Sequence, residues 1–414
     1  MAGSLSQVNS IYSGHAQPNR LRLLVAGVLA FSISYNITFR AAETLTSGRV
    51  AVIVMMIWWL FSREPSIFRR FDWRALLVFL PLPYVILQLI LVGDFGQASR
   101  FLHLAFYSYL GGLLISQLVD DLRGIFWIFL ISASVQALFL IYSFVDIGYR
   151  AWLDATVITG GNFDVFNMYR APGFTSNAGA SLSFVQSLGV LNGGFLLMGP
   201  QKINSRLQMW CVLGLMILCS VSCSIVGRTG LFLSLLFIFL TAIYARGTRK
   251  LIFSALPIFL VLLYFVLPAA GDLISPDVSI DWLVNWMLGI FSEDDQTFSA
   301  LASMPIPPID QVDSWVGRGL VSIIDGVNPS GHDSGFVQAY YSMGLFFSAI
   351  LFAAYFYVLV RLLSWLPPTL KWLLVFIFFS IEIKEPFLFK YALMFMLVAI
   401  YPLAKKMTHQ GQRP

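Results

Sequence analysis

The sequence predicts an all-α, polytopic integral membrane protein with about twelve spanning helices and two long loops on one face. Three observations predict it. Hydrophobic residues make up 58% of the 414 and charged residues only 11%, with a mean hydropathy of +0.78, so too few polar side chains remain to face water around a soluble globule of this size. Apolar runs of spanning length recur along the chain. The loops between those runs alternate in charge.

Taken in order, the first twenty residues are polar. The apolar run from Leu21 to Phe39 is long enough to span and has no small-residue cleavage site behind it, so it reads as a retained first helix. The expected spans begin near Leu21, Thr44, Arg74, Ser99, Gly124, Ala178, Leu207, Gly230, Leu251, Gly335, Leu370 and Pro386. Pro81 and Pro83 should kink the third of them. No internal repeat is visible, and the chain reads as one transmembrane domain, 1–414. Two connections, 146–177 and 268–334, are far longer than the rest, and long structured loops tend to carry function. Within the second, Leu283, Trp286, Met287 and Ile290 recur at helical spacing, which fits either an amphipathic helix on the membrane surface or a short packing helix. Pro305, Pro307 and Pro308 predict an extended stretch after it.

Alternate loops separate by sign. One set holds 17 of the 26 Lys and Arg with only Glu64, Asp72, Asp120 and Asp121 as acids; the other holds the remaining 9 basic and 17 acidic residues. Because cytoplasmic loops carry an excess of Lys and Arg, the first set is assigned to the cytoplasm together with both termini, and the two long loops to the opposite side. That opposite face is net acidic, which argues against a nucleic-acid partner.

The residues with chemical potential gather on the acidic side. Pro329, Gly331 and Gly335 shape a tight polar turn that opens an apolar helix, and at its apex stand His332 and Asp333 beside Ser330 and Ser334. A water-facing histidine there is a candidate general base at neutral pH; the alternative is that the pair only caps the helix. Arg228, in Gly227-Arg228-Thr229-Gly230, interrupts a long hydrophobic region. An arginine there has a partner or a purpose, and its glycines would let a ligand approach the backbone; the alternative is snorkelling to headgroups. Arg150 and Arg170 lie in the first long loop, Arg40 and Arg49 flank Glu43, and Arg318 sits between Gly317 and Gly319. Each is an anion-binding candidate or half of a structural ion pair. Glu382, Lys384, Glu385 and Pro386 form a polar break between the last two spans, where Glu385 either orients His332 or a substrate hydroxyl, or makes ordinary turn contacts. Cys211, Cys219 and Cys223 share one apolar run without His or carboxylate neighbours and read as space-filling, so no metal is expected.

P-loop, zinc-protease and nucleophile-elbow motifs are absent, as is an Asp-x-Asp pair. Taken together, the long outer loops, Arg170 in Arg-x-x-Gly-Phe-x-x-Asn, Arg228 in its Arg-Thr-Gly turn and His332 at the span after the largest loop resemble the bacterial O-antigen polymerase and ligase superfamily. Polymerases of the Wzy type also carry Arg-x10-Gly in both long loops. Arg150 to Gly161 fits that spacing, whereas Arg318 to Gly331 is two residues too long. The resemblance implies a GT-C-class glycosyltransferase of the inner membrane, free of metal and cofactor. It would polymerise undecaprenyl-diphosphate-linked repeats, with a chain-length-regulating membrane protein as partner. In that scheme Arg228, Arg170 and Arg150 neutralise the diphosphate, His332 deprotonates the acceptor hydroxyl, and Arg318, Asp333, Glu385 and Arg49 contact substrate. A ligase has the same chemistry with a different acceptor. A lipid-linked oligosaccharide flippase shares the hydropathy, though transporters tend to place ionisable residues mid-membrane.

Overall fold

A computed structural model describes residues 20–62, 71–159, 172–198, 203, 205–245, 312–322 and 329–409. Among these residues the regular structure is helical, with no strand beyond two isolated bridges, and six helices are long and apolar enough to cross a membrane. In chain order the helices are α1 Arg20–Tyr35, α2 Ser47–Ser62, α3 Trp73–Val92, α4 Gly96–Leu118, α5 Leu122–Val145, α6 Ile147–Thr156, α7 Gly179–Met198, α8 Arg206–Val226, α9 Arg228–Tyr244, α10 Val312–Val316, α11 Gly335–Leu362, α12 Pro368–Ser380 and α13 Ala392–His409. The six are α3, α4, α5, α7, α8 and α11. Every expected span meets a helix except the one near Leu251, which lies outside the described residues, as do Arg170, Gly161, the stretch 280–291 and the prolines at 305–308.

The core is built around α7, whose glycines each admit a neighbour. A Cβ on Gly189 would meet the Ala133 methyl of α5 at 2.2 Å, one on Gly193 the Met216 side chain of α8 at 2.4 Å, and one on Gly194 the Thr241 hydroxyl of α9 at 2.4 Å. Small residues let helix backbones approach where lipid provides no hydrophobic drive. In α3 the prolines act by changing the helix type: Trp73–Phe79 is a tight 3-10 segment, and the α-helix proper starts at Leu82 with Pro81 at its N-cap, where a missing N–H is harmless. Helix α4 widens into a π-helical turn over Leu104–Leu110. Helix α13 begins at Ala392, later than the expected start of the last span at Pro386, because Phe387–Lys390 folds as a 3-10 turn whose Leu388 N–H donates to the Glu382 carboxylate.

The loops collect at two ends of the bundle. At one, Arg361 pairs with Asp72 at 2.7 Å, Tyr401 donates to the same carboxylate at 3.3 Å, Arg22 faces Asp120 at 3.8 Å, and Lys406 reaches the Asp120 carbonyl. At the other, Arg40 pairs with Asp154 at 3.2 Å, the Ser176 hydroxyl accepts from the Thr38 N–H, and Lys384 donates to Thr229. None of these contacts crosses between the two sets of loops that charge separates.

Candidate functional site

The polar break between α12 and α13 organises the second end. Ile381–Ile383 and Phe387–Lys390 are single 3-10 turns, and Tyr391 takes a left-handed conformation (φ 46°) before α13 starts. Glu382 is 1% exposed, and its Oε1 accepts the Leu388 N–H at 2.5 Å. Burial pushes this carboxyl well above the usual carboxylate range; the N–H groups of Leu388 and Phe387 and the charge of Arg100 act against that without overcoming it. A Cβ on Gly335 would meet Glu382 Oε2 at 2.6 Å and Pro386 Cα at 2.7 Å, so the glycine at the head of α11 is needed for the Glu382 segment to pack there.

His332 belongs to this packed turn. It is 5% exposed, which corrects the expectation of a water-facing imidazole: the turn folds inward because Ser334 Oγ donates to the Glu382 carbonyl and Gln338 Nε2 donates to the carbonyls of His332 and Asp333, at 3.2 and 3.0 Å. The Ser330 hydroxyl bridges the His332 N–H and carbonyl. The His332 Nδ1 accepts the Ser334 N–H at 2.9 Å. Asp333, the next residue, is exposed, and the Ser334 N–H occupies the place at Nδ1 where a carboxylate would orient the ring.

Cations surround this core. Arg100 on α4 donates to Gln338 Oε1 at 2.8 Å and lies over the Phe389 ring at 5.7 Å. Lys390 faces Glu385 at 4.0 Å. Lys384 donates to Thr229 at 2.8 Å, which joins the Arg228 turn to the break, with Arg228 itself half-buried. The glycines of that turn serve helix packing and not ligand approach: Gly230 N–H donates to Ser183 Oγ, and a Cβ on Gly230 would lie 2.1 Å from the Ser183 carbonyl of α7. Arg49, near the start of α2, donates to the Thr44 carbonyl and lies close enough to His103 for its charge to act on that ring; His103 in turn neighbours Tyr107, and Tyr107 neighbours Tyr391.

The structure thus brings together Arg228, Glu385, His332 and Asp333, and adds Arg100, Lys384, Lys390, Gln338 and Glu382. Two of the expected anion binders have other surroundings. Arg150 is 1% exposed and donates to the Ser143 and Phe144 carbonyls at the C-terminus of α5, a helix-capping position; burial lowers its pKa from the usual guanidinium value. Arg318 is exposed, faces Asp313 at 3.5 Å and lies over the Tyr341 ring. Its backbone does more. Helix α11 breaks at Gly344 (φ 73°), and the N–H groups of Arg318 and Gly319 satisfy the carbonyls of Tyr341 and Ser342 at that break. Irregular backbone at membrane depth needs such internal partners.

Arg100 was missed in the sequence because it falls within a predicted span, although a lone cation in an apolar stretch is itself a functional signal. Asp94 was missed as well. Its carboxylate accepts N–H groups from Gly96, Val321 and Ser322 and the Ser322 hydroxyl; burial alone would raise its pKa, but these donors outweigh burial and bring it down to about 2. Among the described residues no cluster of His, Cys, Asp and Glu has the form of a metal site. Comparison with family models, with curated proteins and with solved structures finds no match for this chain.

Proposed function

We propose that this chain is an inverting, metal-independent membrane glycosyltransferase of GT-C type with twelve spans. It would polymerise undecaprenyl-diphosphate-linked oligosaccharide repeats at the periplasmic face of a bacterial inner membrane, with both termini cytoplasmic. One observation carries the reading: Arg100 on α4, Lys384 and Lys390 in the break itself, and Arg228 next to the Thr229 that Lys384 holds, three segments distant in sequence, converge around the buried Glu382 and the His332 turn at one end of the bundle. Such a cationic rim, with guanidinium groups suited to phosphate, matches a leaving group that carries two phosphates. Donor and acceptor are both lipid-linked and reach the rim from the bilayer, and a chain-length-regulating membrane protein is the expected partner. The side assignment rests on loop charge.

A transporter reading draws on a second observation. Gln136 is fully buried with neither amide atom partnered, and Tyr35, Gln186 and Ser222 form a hydrogen-bonded row inside the bundle. That row holds no acid, histidine or lysine to couple to an ion gradient, so the rim remains the stronger site. The deciding experiment reconstitutes the purified protein in nanodiscs with lipid-linked repeat units. Longer lipid-linked glycans are the expected product. Unchanged repeats, together with movement of the lipid across vesicles, would replace this reading with transport. Transfer to a lipid A-core acceptor without elongation would replace it with ligation.

A further inference from the structure

Histidine at a transfer site is readily read as the base, but the ring at this turn is set up otherwise. The Ser334 N–H donates to Nδ1 of His332 at 2.9 Å. A nitrogen that accepts a hydrogen bond has its lone pair in use and carries no proton, so the ring is neutral and its single proton sits on Nε2. Presenting a lone pair at Nε2 would require a proton on Nδ1, pointing at the backbone N–H of Ser334. The turn resists that change. Ser334 is tied to Glu382 through its hydroxyl, the His332 peptide is bridged by Ser330 and Gln338, and Gly335 is packed against Glu382 and Pro386, so the N–H has little room to move away.

We infer that His332 meets the donor as a hydrogen-bond donor through Nε2–H, with the Ser334 N–H as its positioning group, and that the acceptor's proton passes to Asp333 on the same turn. The inference rests on the transferase reading above. Of the three carboxyl groups around the turn, Glu382 is buried with an N–H on its oxygen, and Glu385 faces Lys390. Asp333 is the exposed one. In the step itself the bond from the anomeric carbon to the diphosphate oxygen breaks and its electron pair stays with the diphosphate. The acceptor oxygen forms the new bond to that carbon and its proton goes to the Asp333 carboxylate, which later releases it to water. His332 begins and ends neutral, its Nε2–H directed at the developing phosphate charge, where a fixed donor stabilises most.

Two measurements on the full chain in nanodiscs test this. The first is the nitrogen NMR spectrum of histidine-labelled protein, with the His332 signal identified by its loss in His332→Gln. The expected pattern is a proton on Nε2 and a bare Nδ1; the opposite tautomer overturns the inference. Ser334→Pro, compatible with the residue's φ of −57° yet lacking the N–H, should release the preference, and Ser334→Ala, which keeps the N–H, should retain it. The second is elongation rate. His332→Ala should lose about 10²–10³ in kcat, the effect of removing one preorganised donor. His332→Gln, whose amide can donate from near the Nε2 position, should recover about tenfold or more of that loss, whereas His332→Asn should not. Asp333→Asn should lose about 10²–10⁴. A Gln variant as slow as the Ala variant, or full activity in Asp333→Asn, would also overturn the inference. Wild-type protein that elongates nothing removes the transferase reading and the roles together, while the spectrum still decides the tautomer.

Discussion

The two ends of the bundle use their charges differently. At the Asp72 end, carboxylates meet cations: Arg361 on Asp72, Arg22 on Asp120, with Tyr401 completing the Asp72 shell. At the Glu382 end, the carboxylates closest to the core accept backbone N–H groups, Glu382 from Leu388 and Asp94 from Gly96, Val321 and Ser322. Arg100 there donates to a glutamine and Lys384 to a threonine, while the ion pairs at this end, Arg40 on Asp154, Lys390 on Glu385 and Arg318 on Asp313, are all more open to solvent than Arg361 on Asp72. The irregular backbone also lies at this end: the left-handed Tyr391, the paired 3-10 turns and the break at Gly344. Charge paired with charge holds helices together. Acids held by the backbone, with Arg100 and Lys384 on neutral partners and the left-handed Tyr391 beside them, are the arrangement that the proposed anion-binding role draws on.

The largest effect that separates the ends is expected at Arg228. Arg228→Ala should lower elongation by about 10²–10³, with the folded protein recovered in normal yield. Arg228→Lys should restore only part, since an ammonium lacks the guanidinium's two-pronged geometry. An Ala variant that elongates normally would show that the rim is not the anion site and would erase the contrast. Next comes the break in α11. A side chain at Gly344 would be forced into φ 73° and would place its Cβ 2.2 Å from the Trp315 carbonyl. Gly344→Ala should cost about 2–4 kcal/mol of stability from the left-handed strain and the clash together. An unchanged thermal unfolding midpoint in detergent would mean that α10 does not seat in the break.

How far the sequence reached follows from the same physics. Hydropathy finds the helices because each span declares itself within its own window, and alternation of charge sorts the loops before any contact is known. The turns at 227–230 and 329–335 were visible because glycine and proline punctuate locally. The role of Arg100 was not visible: it depends on Gln338, far along the chain, and no periodicity links the two. The resemblance makes Arg150 a substrate ligand through its spacing to Gly161, yet it caps α5, a use that depends on where α6 folds back. The late start of α13 was hidden for a related reason. Phe387 and Leu388 look like helix, but a buried carboxyl six residues earlier claims the Leu388 N–H.

At the paired end the expected effect is smaller and purely structural. Arg361→Ala removes both hydrogen bonds to Asp72 and leaves a carboxylate whose pKa, raised by burial, is at present brought below its ordinary value by Arg361, the Arg74 N–H and Tyr401. The expected loss is about 1–2 kcal/mol for a charge-assisted pair partly open to solvent. Elongation per folded molecule should stay unchanged. A selective loss of elongation with unaltered stability would assign chemistry to the wrong end.

The smallest effect expected is at Asp94, and pH gives it a sign. Its folded-state pKa of about 2 lies below the ordinary 3.8, so the carboxylate stabilises the fold at pH values above about 4. That contribution fades as pH falls from about 4 toward 2, where the folded protein takes up the proton that the unfolded chain has already bound. Solvent around the half-buried group holds the contribution to about 1 kcal/mol. Asp94→Asn keeps one acceptor, but its amide nitrogen would face N–H groups of Gly96, Val321 or Ser322, so the variant should be less stable at pH 7 and equal to wild type near pH 2. The loss should appear as a lower unfolding midpoint whose difference from wild type closes on acidification. It should also loosen the segment carrying Arg318, because Asp94 ties Val321 and Ser322 to the start of α4. Faster amide exchange at 319–322 with little change around Asp72 is the expected pattern. A difference that persists at low pH would mean that the Asp94 contacts act through shape alone, and the contrast between the two ends would then rest on Glu382 and the cations around it.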